Sequence, residues 1–350
     1  MNKVFYITHG AHGGKGGIDK YSKNIIDYFI KYKKLFKLNI ISKYKIKFKH
    51  RDITKKNSKH FLFFLIILNL FKIIKSDLII VTHINLLPLV LPFIFFKKKI
   101  ILFSYGMEIW GTKENIIHKL IMNKIEYFIC MRRYTMKSQK KRFQLRNKKF
   151  FLLHNPIDEI NFEPKMNKKK NYIISIGRLT KYEKYKGIDE TLEAMSIIKN
   201  INFKYYIVGE GDDLERLKNK SIKLNLDNKV IFTNYLSDKK RDELLKISKI
   251  ISMPGSDKIF DTYPYRYIYL ESAIFGTHII ASKPPKDELI TSKRYKNLNF
   301  VNPKNSKEIA NMIKKLMSRK NIICENILND FSSSQFKSDL NKYLRQILKK

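Results

Sequence analysis

The chain has 350 residues, 44% of them hydrophobic, and a formal net charge of +40 from 71 basic and 31 acidic residues. That apolar content is ample for a packed core, and the length fits one large domain or, the expected reading, two. Two cysteines, Cys130 and Cys324, exclude a disulfide scaffold and a four-cysteine metal site, so a reduced, cytoplasmic setting is expected.

No secretory leader is expected, since the sequence runs straight into the apolar strand that begins at Val4. Val4–Thr8, Leu38–Ile41, Leu78–Thr82, Ile100–Phe103, Tyr127–Cys130 and Phe150–Leu153 read as strands, with helices at Ile18–Lys34 and Tyr134–Arg142. FLFFLIILNLF (61–71) and LLPLVLPFIFF (86–96) are intensely apolar. Both are shorter than the roughly 20 residues a spanning helix needs, so they are expected to be buried core elements. HNPID (154–158) and the polar stretch Glu163–Asn171 form the linker.

A second series follows. Tyr172–Ile176, Lys204–Val208, Val230–Phe232, Ile250–Met253 and His278–Ala281 are predicted strands. Gly187–Lys199, Leu214–Leu224, Asp238–Ile247, Pro264–Phe275 and Ser306–Met317 are predicted helices, and Ser334–Leu348 a last one. Alternating strands and helices imply parallel sheets wrapped by helices, hence two doubly wound, Rossmann-like domains. The predicted division is 1–155, 156–330, and a terminal helix in 331–350 that returns to the first domain. In such sheets ligands bind beyond the carboxyl ends of the strands, which places the expected site between the two domains.

The charge is uneven: residues 1–150 carry 33 basic and 7 acidic residues, the remainder 38 and 24. Lysine bias from an A/T-rich genome and attraction to an anionic surface both fit this. For a membrane, each surface lysine contributes roughly 1 kcal/mol. Nucleic acid is not the expected partner, because no pattern of interleaved aromatics and cations and no reading helix stands out.

Four segments carry chemistry. HGAHGGKGGIDKY (9–21) follows the first strand and opens a helix. Its glycines allow close backbone approach, and the helix start presents free amides. ISIGRLTKYEKYKGID (174–189) ends a strand in Gly177 and sets Arg178 and Lys186 where both can face one multiply charged anion. VGEGDD (208–213) repeats the pattern with Gly209 and Gly211. YPYRYIYLESAIFGTHIIAS (263–282) places Glu271 in an apolar, aromatic helix. There it needs a partner, such as Arg266, or it grips a pair of sugar hydroxyls.

Together these segments resemble, in order and over nearly the whole chain, the retaining glycosyltransferases of the GT-B fold in the group 1, family 4 set. GGKGGIDKY is similar to the family's N-terminal glycine loop, which implies that Gly16 and Gly17 lie against the donor diphosphate. YGMEIWG (105–111) resembles its His-Gly-x-Glu segment, which implies acceptor-side roles for Tyr105 and Glu108. His83 is a stand-in for the missing histidine. HNPID and FEP (162–164) resemble the linker, and VIFTNYLSDKKRDELL (230–245) the region near the nucleotide base. The resemblance further implies that Arg178 and Lys186 are the diphosphate cations, that Gly209 lies at the donor, and that Glu271 binds the ribose.

Two departures stand out. Where the family has the first of two glutamates, this chain has Tyr263, with Asp261 as the available substitute. Where it often has paired glycines, this chain has KPPKDE (283–288), and prolines have no N–H to offer a phosphate.

The implied activity is transfer of a sugar from a nucleotide-diphosphate sugar to a saccharide or lipid-linked acceptor. No cofactor or metal is expected, because the side-chain cations serve the leaving diphosphate. Lipopolysaccharide or surface-polysaccharide assembly at the inner membrane face, with peripheral contact to anionic lipid, is the expected context. The alternative is a GT-B-like nucleotide-sugar-binding protein that has lost turnover.

Overall fold

A computed structural model of the chain describes residues 1–10, 17–42, 46–48, 51–53, 59–110, 115–157, 168–255, 267–283, 296–324 and 326–349. The chain forms two compact units, Met1–Asp158 with Phe331–Lys350, and Glu159–Asp330.

The first unit is built on β1 (Asn2–Thr8), β2 (Phe36–Ser42), a small antiparallel pair β3 (Ile46–Phe48) and β4 (Arg51–Ile53), β5 (Leu78–Val81), β6 (Lys99–Ser104), β7 (Tyr127–Cys130) and β8 (Lys149–Leu152). Six of these make one parallel sheet in the order β2-β1-β5-β6-β7-β8. β5, β6 and β7 are apolar nearly throughout because both faces of the sheet are covered. The step from β1 to β2 runs opposite to every later step, so right-handed crossovers send its helix to the opposite face.

The two core clusters show this division. Helix Gly17–Lys31 places Tyr21, Ile25, Ile26 and Phe29 with Tyr6, Ile80, Phe103 and Ile129 on one face. The terminal helix Ser333–Leu348 joins them through Phe336, Leu340, Leu344 and Ile347. Tyr343 Oη donates to Leu152 O at 2.9 Å and Tyr28 Oη to Asn341 Oδ1 at 3.0 Å, fixing that helix to the first unit. On the other face Phe5, Ile79, Val81 and Leu102 meet Ile66, Ile73, Leu87, Phe93 and Ile121 from the crossovers.

Those crossovers correct one expectation. The apolar stretches at 61–71 and 86–96 are only half buried. They form helices Lys59–Leu68 and Leu70–Ile74, a 3₁₀ run Ile84–Val90 that contains Pro88, and the turn of helix Leu91–Ile94. Phe64, Ile67, Leu68, Phe71, Leu91, Phe95 and Phe96 remain exposed. Among the described residues, no helix is long and apolar enough to cross a membrane.

The second unit contains β9 (Lys170–Ile176), β10 (Lys204–Val208), β11 (Val230–Asn234), β12 (Ser248–Ser252), β13 (His278–Ser282) and β14 (Leu298–Val301). They form a parallel sheet in the order β11-β10-β9-β12-β13-β14. Chain direction across the sheet reverses between β9 and β12. This switch point opens a crevice at the carboxyl end of β9, where Gly177 and Arg178 follow. The core here joins Ile173, Tyr205, Ile207, Ile250 and Ile280 to Leu192 and Met195 of helix Ile188–Ile197 and to Ile309 and Ile313 of helix Ser306–Ser318.

Candidate functional site

Beyond β9 the chain makes a short 3₁₀ segment, Lys181–Lys186, and then turns into helix Ile188–Ile197 through Gly187. Gly187 has φ +81°, and a Cβ there would lie 2.1 Å from Pro254 O, just past β12. Glycine is therefore required for the helix start to press against the neighbouring strand end. Thr191 Oγ1 donates to Gly187 O at 2.7 Å and lies 3.0 Å from Ser252 Oγ. Ser175 Oγ donates to Ser252 O at 2.5 Å and lies 2.8 Å from Tyr205 Oη. This buried polar network ties β9, β10, β12 and the helix together beneath the switch point, and it had no signature in the sequence reading.

Arg178 and Lys186 are brought together as expected. Lys186 lies over Gly177, where a Cβ would come 2.6 Å from its Nζ, and donates to Arg178 O at 3.2 Å. Glu183 bridges the two cations. Its Oε2 accepts from Lys186 Nζ at 2.5 Å and its Oε1 from Arg178 Nη2. The Lys186 and Glu183 side chains are 12% and 10% exposed, whereas Arg178 is 72% exposed. Glu183 was not singled out from the sequence, although it is the only acidic residue between the two cations.

Gly209 has φ +148°, and a Cβ there would meet Gly177 O at 1.9 Å. Its N–H donates to Asn234 O at 3.0 Å, so this glycine allows the loops after β9 and β10 to touch. Gly177 N donates to Val208 O at 3.0 Å and Leu179 N to Glu210 O at 2.9 Å, which completes the seam. Next to it, Arg216 holds Asp189 at 2.6 Å and Asp213 at 2.6 Å, with Lys220 on Asp189 at 2.9 Å. Burial pushes the Asp189 carboxyl up, but Arg216 and Lys220 outweigh it and hold it at about 2. The acidic start of helix Ile188–Ile197 is thereby partly neutralised close to the cation pair.

Glu271 lies on helix Tyr267–Ile274, which Tyr269 fixes to β12 by donating to Met253 O at 2.8 Å. It pairs with Arg241, 3.4 Å away on helix Asp238–Ile247; Arg266, the partner suggested by the sequence, lies outside the described residues. Arg241 also holds Asp242 at 2.6 Å. Asp261, Tyr263 and the prolines of KPPK likewise lie outside the described residues, as does Gly16. Gly17 is the first residue of its helix.

In the first unit the sheet reverses between β1 and β5, and the rings of His9 and His83 meet edge to face at that point, 4.7 Å apart. His83 Nδ1 accepts from Asn85 N at 3.1 Å, which leaves the proton on Nε2. Burial and the nearby His118 charge push His83 down to about 4, so at neutral pH it is a hydrogen-bond donor and not a cation. Tyr105 is buried edge-on against Tyr21, and burial pushes its phenol well up. Glu108 Oε1 accepts from the amides of Tyr105 at 2.5 Å and Gly106 at 3.0 Å. Tyr105 and Glu108 thereby anchor the loop after β6.

Two parallel, doubly wound sheets, the second with a cation pair and glycine seams at its switch point, define a GT-B fold. Residues 156–331, half of the chain, match the family model described as glycosyl transferases group 1, and the chain belongs to that family. Its fold is similar to a glycosyltransferase from Rickettsia africae ESF-5, 17% identical, with 99% of each chain covered and a TM-score of 0.72. It is also similar to the lipopolysaccharide outer core galactosyltransferase WaaB, 15% identical, covering 98% of this chain and 99% of that one at 0.68. Sucrose-phosphate synthase from Thermosynechococcus elongatus is 13% identical, with 99% of each chain covered and a TM-score of 0.67. No curated protein matches the sequence.

Proposed function

We propose that this glycosyltransferase moves a sugar, with retention at the anomeric carbon, from a nucleotide-diphosphate sugar to a saccharide or lipid-linked acceptor of the cell surface. The observation that carries the reading is the meeting of Arg178 and Lys186 beside bare Gly177 at the switch point of the second sheet. As the glycosidic bond to the donor breaks, the leaving diphosphate gains charge while the anomeric carbon becomes oxocarbenium-like. Cations fixed where that charge develops lower the barrier without reorganising. Arg178 offers an exposed fork of donors and Lys186 a compact charge held at the backbone, so together they take the part a metal plays elsewhere. Glu271 sits one strand away as the ribose carboxylate. His83 Nε2–H is available as a neutral donor to a sugar hydroxyl.

Two observations support a lipid-linked acceptor at the inner membrane face. The crossovers on one face of the first sheet expose Phe64, Leu68, Phe71, Leu91, Phe95 and Ile116, and Lys72, Lys75, Lys97, Lys98 and Lys119 lie among them in the chain. Apolar side chains set among lysines suit an anionic bilayer surface. The likeness to WaaB supports lipopolysaccharide or surface-polysaccharide assembly as the context.

The test is release of nucleoside diphosphate from a panel of nucleotide sugars, with Arg178→Ala as the control. Release that falls at least tenfold in the variant is expected for one donor. Tight donor binding by the intact chain without any release, alone or with membrane extract as acceptor source, would favour a binding protein that has lost turnover.

A further inference from the structure

Glu183 places one carboxylate on both cations of the proposed diphosphate site. Among the described residues it is the side-chain partner of Arg178, and it takes a hydrogen of Lys186 that a phosphate oxygen would otherwise accept. The segment carrying it is held in place. Glu183 N donates to Thr180 O at 2.9 Å, and Lys181 N donates to Asp212 Oδ1 at 3.0 Å. The carboxylate is nearly covered, whereas the guanidinium it holds is largely open to solvent. An incoming diphosphate thus meets a pair of cations already occupied by an anion of the chain itself.

We propose that Glu183 is an internal counter-ion that occupies the cation pair in the empty site and competes with the diphosphate for it. It thereby sets donor affinity and speeds departure of the nucleoside diphosphate product. The inference rests on the donor-site reading given above. Two like charges cannot share one pair of donors without loss, so the carboxylate must yield at least one cation when a phosphate arrives. In return it keeps Arg178 and Lys186 at a fixed spacing when no ligand is bound, which avoids repulsion between two unscreened cations.

The test is titration calorimetry of Glu183→Gln and wild type with UDP, GDP, ADP and inorganic pyrophosphate. The amide keeps the size and one acceptor but removes the charge. At least tenfold tighter binding of the preferred diphosphate is expected in the variant, with slower product release in single-turnover measurements. Thermal unfolding checks that the variant is folded, and Glu183→Ala provides a second neutral replacement if the amide perturbs the turn. Wild-type binding that neither neutral variant tightens would overturn the inference and leave the donor site standing. Absence of diphosphate binding in wild type and in both variants would overturn the donor site and the inference with it.

Discussion

Gly209 has a backbone angle of φ +148° and stands where a methyl group would strike Gly177 O. Its conformation and its neighbour each require glycine, and that neighbour, Gly177, directly precedes Arg178. Gly209→Ala should destabilise the second unit by about 3 kcal/mol, since strained backbone and a backbone clash add. A fall of several degrees in its thermal transition should accompany this, together with weaker nucleotide binding. An unchanged transition would show that the two loops are free to separate. At this scale, the meeting of Arg178, Lys186 and Gly177 was legible because a strand that ends in glycine bares its backbone beside two cations a short loop apart. Glu183 was not legible, because one acid in a lysine-rich turn looks like any solvated charge until its geometry is known. The Ser175–Tyr205–Ser252–Thr191 network was equally hidden, since hydroxyls in strands carry no sign of what they meet.

Apolar runs such as LIIV in β5 and YFIC in β7 announced buried parallel strands, because a strand covered on both faces needs no polar alternation. Their order also followed from the alternation with helices. β14, LNFV, was missed because a four-residue strand with a central asparagine lacks that continuous run. The 3₁₀ run with Pro88 and helix Ile116–Lys124, which opens with an Asn115 cap, were missed for want of a long period. The same crossovers hold the exposed apolar side chains, which composition alone assigned to the core. Helices Leu91–Ile94 and Ile116–Lys124 pack together, and Phe95 and Ile116, beside their ends, are among the most exposed apolar residues. If these helices face a bilayer, replacing Phe71, Phe95 and Ile116 together by glutamate should cut binding to anionic vesicles at least tenfold. The fold should survive, because none of the three is buried. Retained flotation of the triple variant would place the membrane contact elsewhere.

Over the whole molecule, the two sheets share one architecture and carry different side chains where they reverse. The first reverses where the His9 and His83 rings meet, in the unit that also buries Tyr105. The second reverses beside two cations bridged by a carboxylate. Residues 154–157 lie where the chain passes from one unit to the other, and the terminal helix belongs to the first. The sequence offers a proline and a run of polar residues near that passage. It could not reveal which cations are paired internally and which are open, because that depends on side chains meeting in space.

The central claim is that Arg178 and Lys186 jointly hold a diphosphate, and calorimetric titration with matched nucleoside diphosphates and monophosphates tests it most directly. A charge-assisted hydrogen bond contributes roughly 1.5–3 kcal/mol, so Arg178→Ala and Lys186→Ala should each weaken diphosphate binding about tenfold to a hundredfold. Monophosphate binding should change much less. If both variants bind the diphosphate as tightly as the wild type, the cation pair is not the anion site and the assignment fails.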